Sequence, residues 1–146
     1  MSKFNLLTVL LVSSLLSACG FHTPTNTISI NVSITGNSNG AFATEFKKHL
    51  SAKAERTLTV KIGDEVQKQQ AIAYTKGVAS SYTLILSVPV EISRGKKILL
   101  SKKLTASTTV SDITTSQADR LRIGDSYVQL RKALVVKLLR RLNALK

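Results

Sequence analysis

The sequence predicts an α+β domain, a small mostly antiparallel or mixed β-sheet with two α-helices packed on one face. Three observations carry that prediction. Apolar and polar residues alternate in the stretches 28–34, 57–62, 82–92 and 97–110, the period of a half-buried strand. The stretches 41–56 and 114–144 instead show the three-to-four residue spacing of amphipathic helices. The later strands are joined by short glycine-bearing turns rather than by repeated helical crossovers, so the helices belong on one side of a sheet.

The elements follow in order. In 28–34, Ile28, Ile30, Val32 and Ile34 alternate with small polar residues and form the first strand. The cluster 35–40 is rich in Gly and Asn, which tolerate unusual backbone angles, and reads as a turn. Phe42, Phe46 and Leu50 then recur every four residues with lysines off the stripe, so 41–56 is the first helix. Leu58, Val60 and Ile62 mark a strand that Gly63-Asp64 breaks, and 71–74 is a short further strand. Lys76-Gly77 is a turn. The clearest alternation runs through Tyr82, Leu84, Leu86, Val88, Val90 and Ile92, with Pro89 predicting an edge or bulged position because it lacks an amide donor. Arg94-Gly95-Lys96 turns the chain back into 97–110. In the final helix, Leu121, Val128, Val135 and Leu142 fall seven apart, joined by Leu134, Leu138 and Leu139, and Gly124 is a weak point near its start. A helix over 114–144 is about 46 Å long, more than a small sheet needs.

The N-terminus has a separate logic. Residues 1–18 carry one positive charge at Lys3 and an apolar stretch over 6–16. As a helix that stretch spans about 16 Å, roughly half of a ~30 Å hydrocarbon core, which fits a signal peptide better than a membrane span. It closes on Leu16-Ser17-Ala18-Cys19, which resembles the bacterial lipobox. That resemblance implies cleavage before Cys19, an S-diacylglycerol on its thiol and an N-acyl chain on its new amine. Two or more acyl chains anchor a protein stably where one does not. Gly20 in place of aspartate implies sorting to the outer membrane, leaving a protein anchored on its periplasmic side. The expected organisation is a signal peptide over 1–18, a lipidated tether over 19–27 containing Pro24, and a single domain over 28–146.

Charge sharpens this. The chain carries 21 Lys and Arg against 8 Asp and Glu, a formal net charge of +13. Residues 19–146 lose only Lys3 of these, and so keep a net charge of +12. In the cytoplasm such a balance would suggest nucleic acid. Beside an outer membrane the abundant anions are lipid phosphates, so no nucleic-acid partner is expected. Lys76, Arg94, Lys96 and Lys97 all fall at predicted strand ends and suggest a cationic rim built on turns.

Catalysis and metal binding find little support. A single cysteine committed to lipid excludes a disulfide framework and a thiol nucleophile, and two histidines, His22 and His49, do not make a metal cluster. No two acids pair by spacing, no phosphate-binding glycine loop is present, and the Ser/Thr-rich run 105–116 reads as strand surface and caps. A non-enzymatic protein with no metal and no dissociable cofactor is expected.

Cys19-Gly20-Phe21-His22 followed by strand, helix, strands and a long basic helix resembles the LPS-assembly lipoprotein family, LptE. Lys76-Gly77 with the alternation that opens at Tyr82 is similar to that family's turn glycine and tyrosine strand. The closing Leu138-Leu139-Arg140-Arg141-Leu142 is similar to its terminal helix. The resemblance implies a lipoprotein that sits inside an LptD-type outer-membrane β-barrel, assists the barrel's assembly, plugs it, and binds lipopolysaccharide (LPS) during delivery to the cell surface. It implies LPS contacts at Lys76 and at Arg120 or Arg122. The anchor and fold class also fit a periplasmic adaptor lipoprotein that regulates an envelope enzyme or contacts peptidoglycan.

Overall fold

The computed structural model describes residues 30–111 and 116–145. The predicted signal peptide, Cys19, the tether and positions 28–29 and 112–115 lie outside the described residues. Within them the architecture is α+β, a mixed five-stranded sheet with two helices. The chain order is β1 (Asn31–Gly36), α1 (Ala41–Lys47), β2 (Arg56–Ile62), β3 (Val66–Thr75), β4 (Val78–Arg94), β5 (Lys97–Ser111) and α2 (Ser116–Ala144).

β4 organises the sheet. β5 runs antiparallel along one flank from Ser81 to Arg94. On the other flank β3 pairs with the first half of β4 and β2 with the second, both antiparallel. β2 and β3 thus form one broken line. Ile62 lies opposite Val90 and Val66 opposite Ser87, so residues 63–65 face only Val88 and Pro89 and form a bulge. β1 adds to β2 in parallel through the α1 crossover. Its last residue, Gly36, has φ 77°, and a Cβ there would lie 2.3 Å from the Ile62 carbonyl oxygen. No larger residue fits that close approach.

Pro89 corrects one expectation. Its strand is central, and the irregularity belongs to the neighbouring line. The Pro89 carbonyl accepts the Gly63 N–H at 2.8 Å. A strand residue's nitrogen and oxygen point to the same flank, so the imide nitrogen faces the bulge and no ladder bond to β5 is lost.

The core lies on one face of the sheet. Leu84, Leu86, Val88, Val90 and Ile92 of β4 are buried there with Leu58, Val60 and Ile62 of β2 and Leu104, Ala106 and Val110 of β5. Phe42 and Phe46 of α1 and Tyr127, Leu130, Leu134, Leu138 and Leu142 of α2 complete the same cluster. The opposite face carries Thr105, Ser107 and Thr109 on β5, cross-strand from Ser87, Ile85 and Thr83. Ser87 Oγ and Thr105 Oγ1 hydrogen-bond across it at 3.2 Å. Thr105, Ser107 and Thr109 are therefore strand surface, as expected, while Thr108 is half-buried on the core face opposite Leu84. Positions 112–115 of the Ser/Thr-rich run lie outside the described residues.

Three elements differ from expectation. α1 ends at Lys47, not at 56, although 48–55 contains good helix formers. Beyond Leu50 the stripe offers only Lys53 and Ala54, so no large apolar residue continues the buried face. The Ser51 N–H reaches back to the Ile30 carbonyl, which draws the chain toward β2. β3 has ten residues rather than 71–74 alone. Its Val66–Gln70 portion is exposed and held by the ladder to β4, so it leaves no burial pattern to read. In α2 the seven-residue stripe splits, with Val135 and Leu142 buried but Leu121 68% and Val128 41% exposed. A heptad drifts by about 20° per repeat on a straight helix. The face actually used runs Tyr127, Leu130, Leu134, Leu138, Leu142 at steps of three and four. The Lys48 ammonium holds the Glu45 carboxyl of α1 below its usual range, and Lys132 of α2 adds a smaller attraction. Val135 and Leu139, on the Lys132 flank, are buried in the shared core where α1 packs on α2. α1 is too short to extend that cover to Leu121.

Candidate functional site

Lys76 stands at the tip of the β3–β4 hairpin. It has φ 51° and Gly77 has φ 80°, so both central residues are left-handed, the pattern of a type I′ turn. The hairpin projects past β5, whose pairing stops at Ser81 and Ser111, while β3 and β4 stay paired to Thr75 and Val78. On this projection Ile72 is 51% and Tyr74 67% exposed. Arg122 is near the same end of the sheet, where it donates to the Ser111 carbonyl at 3.1 Å and borders a small hollow with Tyr82, Val110 and Ile123. Arg120 is exposed on a different flank, since two helical steps rotate a side chain by roughly 200°. The structure thus brings Lys76 and Arg122 to one end of the sheet and points Arg120 away from Arg122.

The cationic rim anticipated from the turns divides in two. β4 has 17 residues, about 50 Å of extended chain, and it separates Lys76 from Arg94, Lys96 and Lys97. At that far end Arg94 Nη2 donates to the Leu145 carbonyl at 2.8 Å and ties the end of β4 to the end of α2.

A concentration of positive charge lies between β5 and the C-terminal half of α2. A groove of about 560 Å³ is lined by Lys102, Lys103, Leu104, Thr105, Lys137, Arg140, Arg141 and Ala144. Five of the eight are cationic and none is acidic. Lys102 and Lys103 straddle the sheet edge because successive strand residues face opposite sides. Lys137, Arg140 and Arg141 share one helix flank at spacings of three and four. Lys137 Nζ spans the groove and donates to the Thr105 carbonyl at 2.8 Å. Among the described residues, ion pairs form at Lys48–Glu45 and Arg131–Glu65, and neither uses a groove cation. A second hollow of about 390 Å³ adjoins it across Lys102 and Lys103 and adds Lys61, with Glu91 its one acid.

Sequence reasoning missed this groove. Its two sets of cations, Lys102 with Lys103 and Lys137 with Arg140 and Arg141, sit more than thirty positions apart, and only the docking of α2 along the free edge of β5 assembles them. The available signal was the acid-free run of basic residues after Asp125, which helix-dipole complementarity explains only over the last turn.

Three other titratable groups, Arg131, Glu65 and Tyr127, serve structure. Arg131 donates to both Glu65 oxygens, Nη2 at 2.7 Å and Nε at 2.9 Å, and fixes α2 to the bulge between β2 and β3. The Arg131 hydrogen bonds, aided by Gln67, hold the Glu65 carboxyl below its usual range against the opposing cost of burial. Burial raises the Tyr127 phenol, which donates to the Lys68 carbonyl at 2.8 Å. No helix among the described residues is long and apolar enough to cross a membrane.

This fold has solved relatives. Rare lipoprotein B from Shewanella oneidensis superposes with a TM-score of 0.68 at 12% identity, covering 77% of this chain and 93% of that one. An uncharacterized lipoprotein B from Nitrosomonas europaea gives 0.65 at 14% identity, over 80% and 84% of the two chains. A minor lipoprotein from Acinetobacter baumannii gives 0.56 at 18% identity, over 80% and 90%. The chain has the fold of these bacterial lipoproteins. No protein-family model and no curated protein matches the sequence.

Proposed function

We propose that this chain is a lipid-anchored lipoprotein of the outer-membrane LPS-transport machinery. It would be held on the periplasmic side by acyl chains on Cys19, sit within an LptD-type β-barrel, assist that barrel's assembly and engage LPS on its way to the surface. It acts without catalysis, as a plug and binding partner. The observation that carries this reading is the fold likeness to rare lipoprotein B, which spans 93% of that protein's chain. The lipobox-like Leu16-Ser17-Ala18-Cys19 and the LptE-like order of elements support it from the sequence. A net charge of +12 on residues 19–146 suits a protein that handles phosphorylated lipid.

The test is detergent extraction of the full-length protein from envelopes, followed by affinity purification. A large outer-membrane β-barrel is expected to co-purify in stoichiometric amount. Recovery as a free lipoprotein would remove the plug assignment. Cys19→Ala should leave the protein without acyl chains, read by mass spectrometry of the purified protein.

A further inference from the structure

We infer that the groove between β5 and α2, not the Lys76 hairpin, is the principal anion site, and that it takes a multiply phosphorylated saccharide headgroup. This rests on the proposed function for the lipid carried by that headgroup, but the anion chemistry stands on the groove itself.

Four observations support it. Lys102, Lys103, Lys137, Arg140 and Arg141 line one cavity of about 560 Å³ with no acid in its lining. That volume falls within the roughly 300–1,000 Å³ of small-molecule sites, large enough for a disaccharide-sized group. Helix-dipole complementarity accounts for Arg141, the basic residue of the last turn, but not for Lys137 or for the two lysines on β5. No ion pair among the described residues uses a groove cation, and a bound anion would relieve the repulsion among these like charges. Finally, the donors differ in kind. Two guanidiniums offer planar forks to phosphate oxygens, while three ammoniums act as mobile point charges, a set suited to more than one phosphate at different orientations.

The lining also distinguishes a lipid headgroup from a free phosphate. Leu104 is buried at the base of the groove and Ala144 lies beside it, so part of the wall is apolar. Val136, 43% exposed, precedes Arg140 by one helical turn. Phosphates would meet the cations while the sugar or the start of an acyl chain lies against these residues. Lys137 would exchange the Thr105 carbonyl for phosphate, an exchange between a neutral and a charged acceptor that favours the anion.

The experiment uses the full-length acylated protein in detergent micelles, titrated with bis-phosphorylated lipid A, with dephosphorylated lipid A, and with inorganic pyrophosphate. Three proteins are compared: wild type, Lys137→Glu with Arg140→Glu, and Lys76→Glu with Arg120→Glu. All four positions are exposed, and circular dichroism checks that each variant folds. The inference expects the groove pair to weaken bis-phosphorylated lipid A at least tenfold, the hairpin pair less than threefold, and dephosphorylated lipid A to bind poorly to all three. Equal losses in the two variants would overturn it, because nonspecific attraction to net charge would then suffice. Loss confined to the hairpin pair would also overturn it. Pyrophosphate binding as tightly as lipid A would overturn the headgroup assignment in favour of free phosphate. Barrel co-purification reports separately. Its failure with groove binding intact would remove the proposed function and leave the anion site.

Discussion

The two halves of α2 are held in different ways. The C-terminal half buries Leu134, Val135, Leu138, Leu139 and Leu142 in the core it shares with the sheet and α1. The N-terminal half buries Tyr127 and Leu130, half-buries Ile123, and leaves Leu121 and Val128 exposed. With less apolar burial it depends more on polar contacts, with Arg122 on the Ser111 carbonyl, Tyr127 on the Lys68 carbonyl and Arg131 on Glu65. Apolar packing is cooperative and indifferent to pH, whereas single hydrogen bonds and ion pairs can be broken one at a time. The helix is thus clamped at its basic end and adjustable at the end near the projecting hairpin.

Leu138, in the C-terminal half, is fully buried. Leu138→Ala is expected to cost about 2–5 kcal/mol in denaturant unfolding. Arg131→Ala comes next, at about 2 kcal/mol, because it strands a Glu65 carboxylate whose side chain is only 15% exposed.

That pair also has a pH signature. The Glu65 pKa is lower in the folded state, so its contribution is fully present above the ordinary carboxylate range and disappears as pH falls through the lowered value. Wild-type stability should therefore drop in acid more steeply than that of Glu65→Gln. Parallel curves would mean that the pair adds nothing. Arg131 stays charged throughout, since its own shift is upward.

Tyr127→Phe keeps the ring and removes the bond to Lys68, for about 1 kcal/mol. Amide exchange near the start of α2 should rise more than exchange near Leu138. The smallest effect belongs to Leu121→Ala, within about 0.5 kcal/mol, because that side chain is largely solvated. A larger loss there would show that the N-terminal half packs as the C-terminal half does.

The same division explains what the sequence revealed. Elements that bury one face were legible. Leu84 through Ile92 announced β4, and Leu58, Val60 and Ile62 announced β2. Elements held by backbone ladders or by context were not, as the exposed Val66–Gln70 stretch of β3 and the truncated α1 demonstrate. Lys76 was legible as a turn residue because Gly77 follows it. The groove was illegible because Lys102 and Lys137 become neighbours only through tertiary docking, which no local period encodes. The family resemblance implied Arg120 or Arg122 as alternatives, and helical rotation places them on different flanks.

The shared flank of β4 has a kinetic consequence. Both turns around that strand are tight, so β3, β4 and β5 can zip together while closing only short loops. β2 then extends an existing line by crossing the 63–65 bulge. The β1 crossover and the docking of α2 bring together more distant parts of the chain and should come last. Until they do, the apolar face of the meander is uncovered, and the molecule is most vulnerable to self-association at that stage of its maturation.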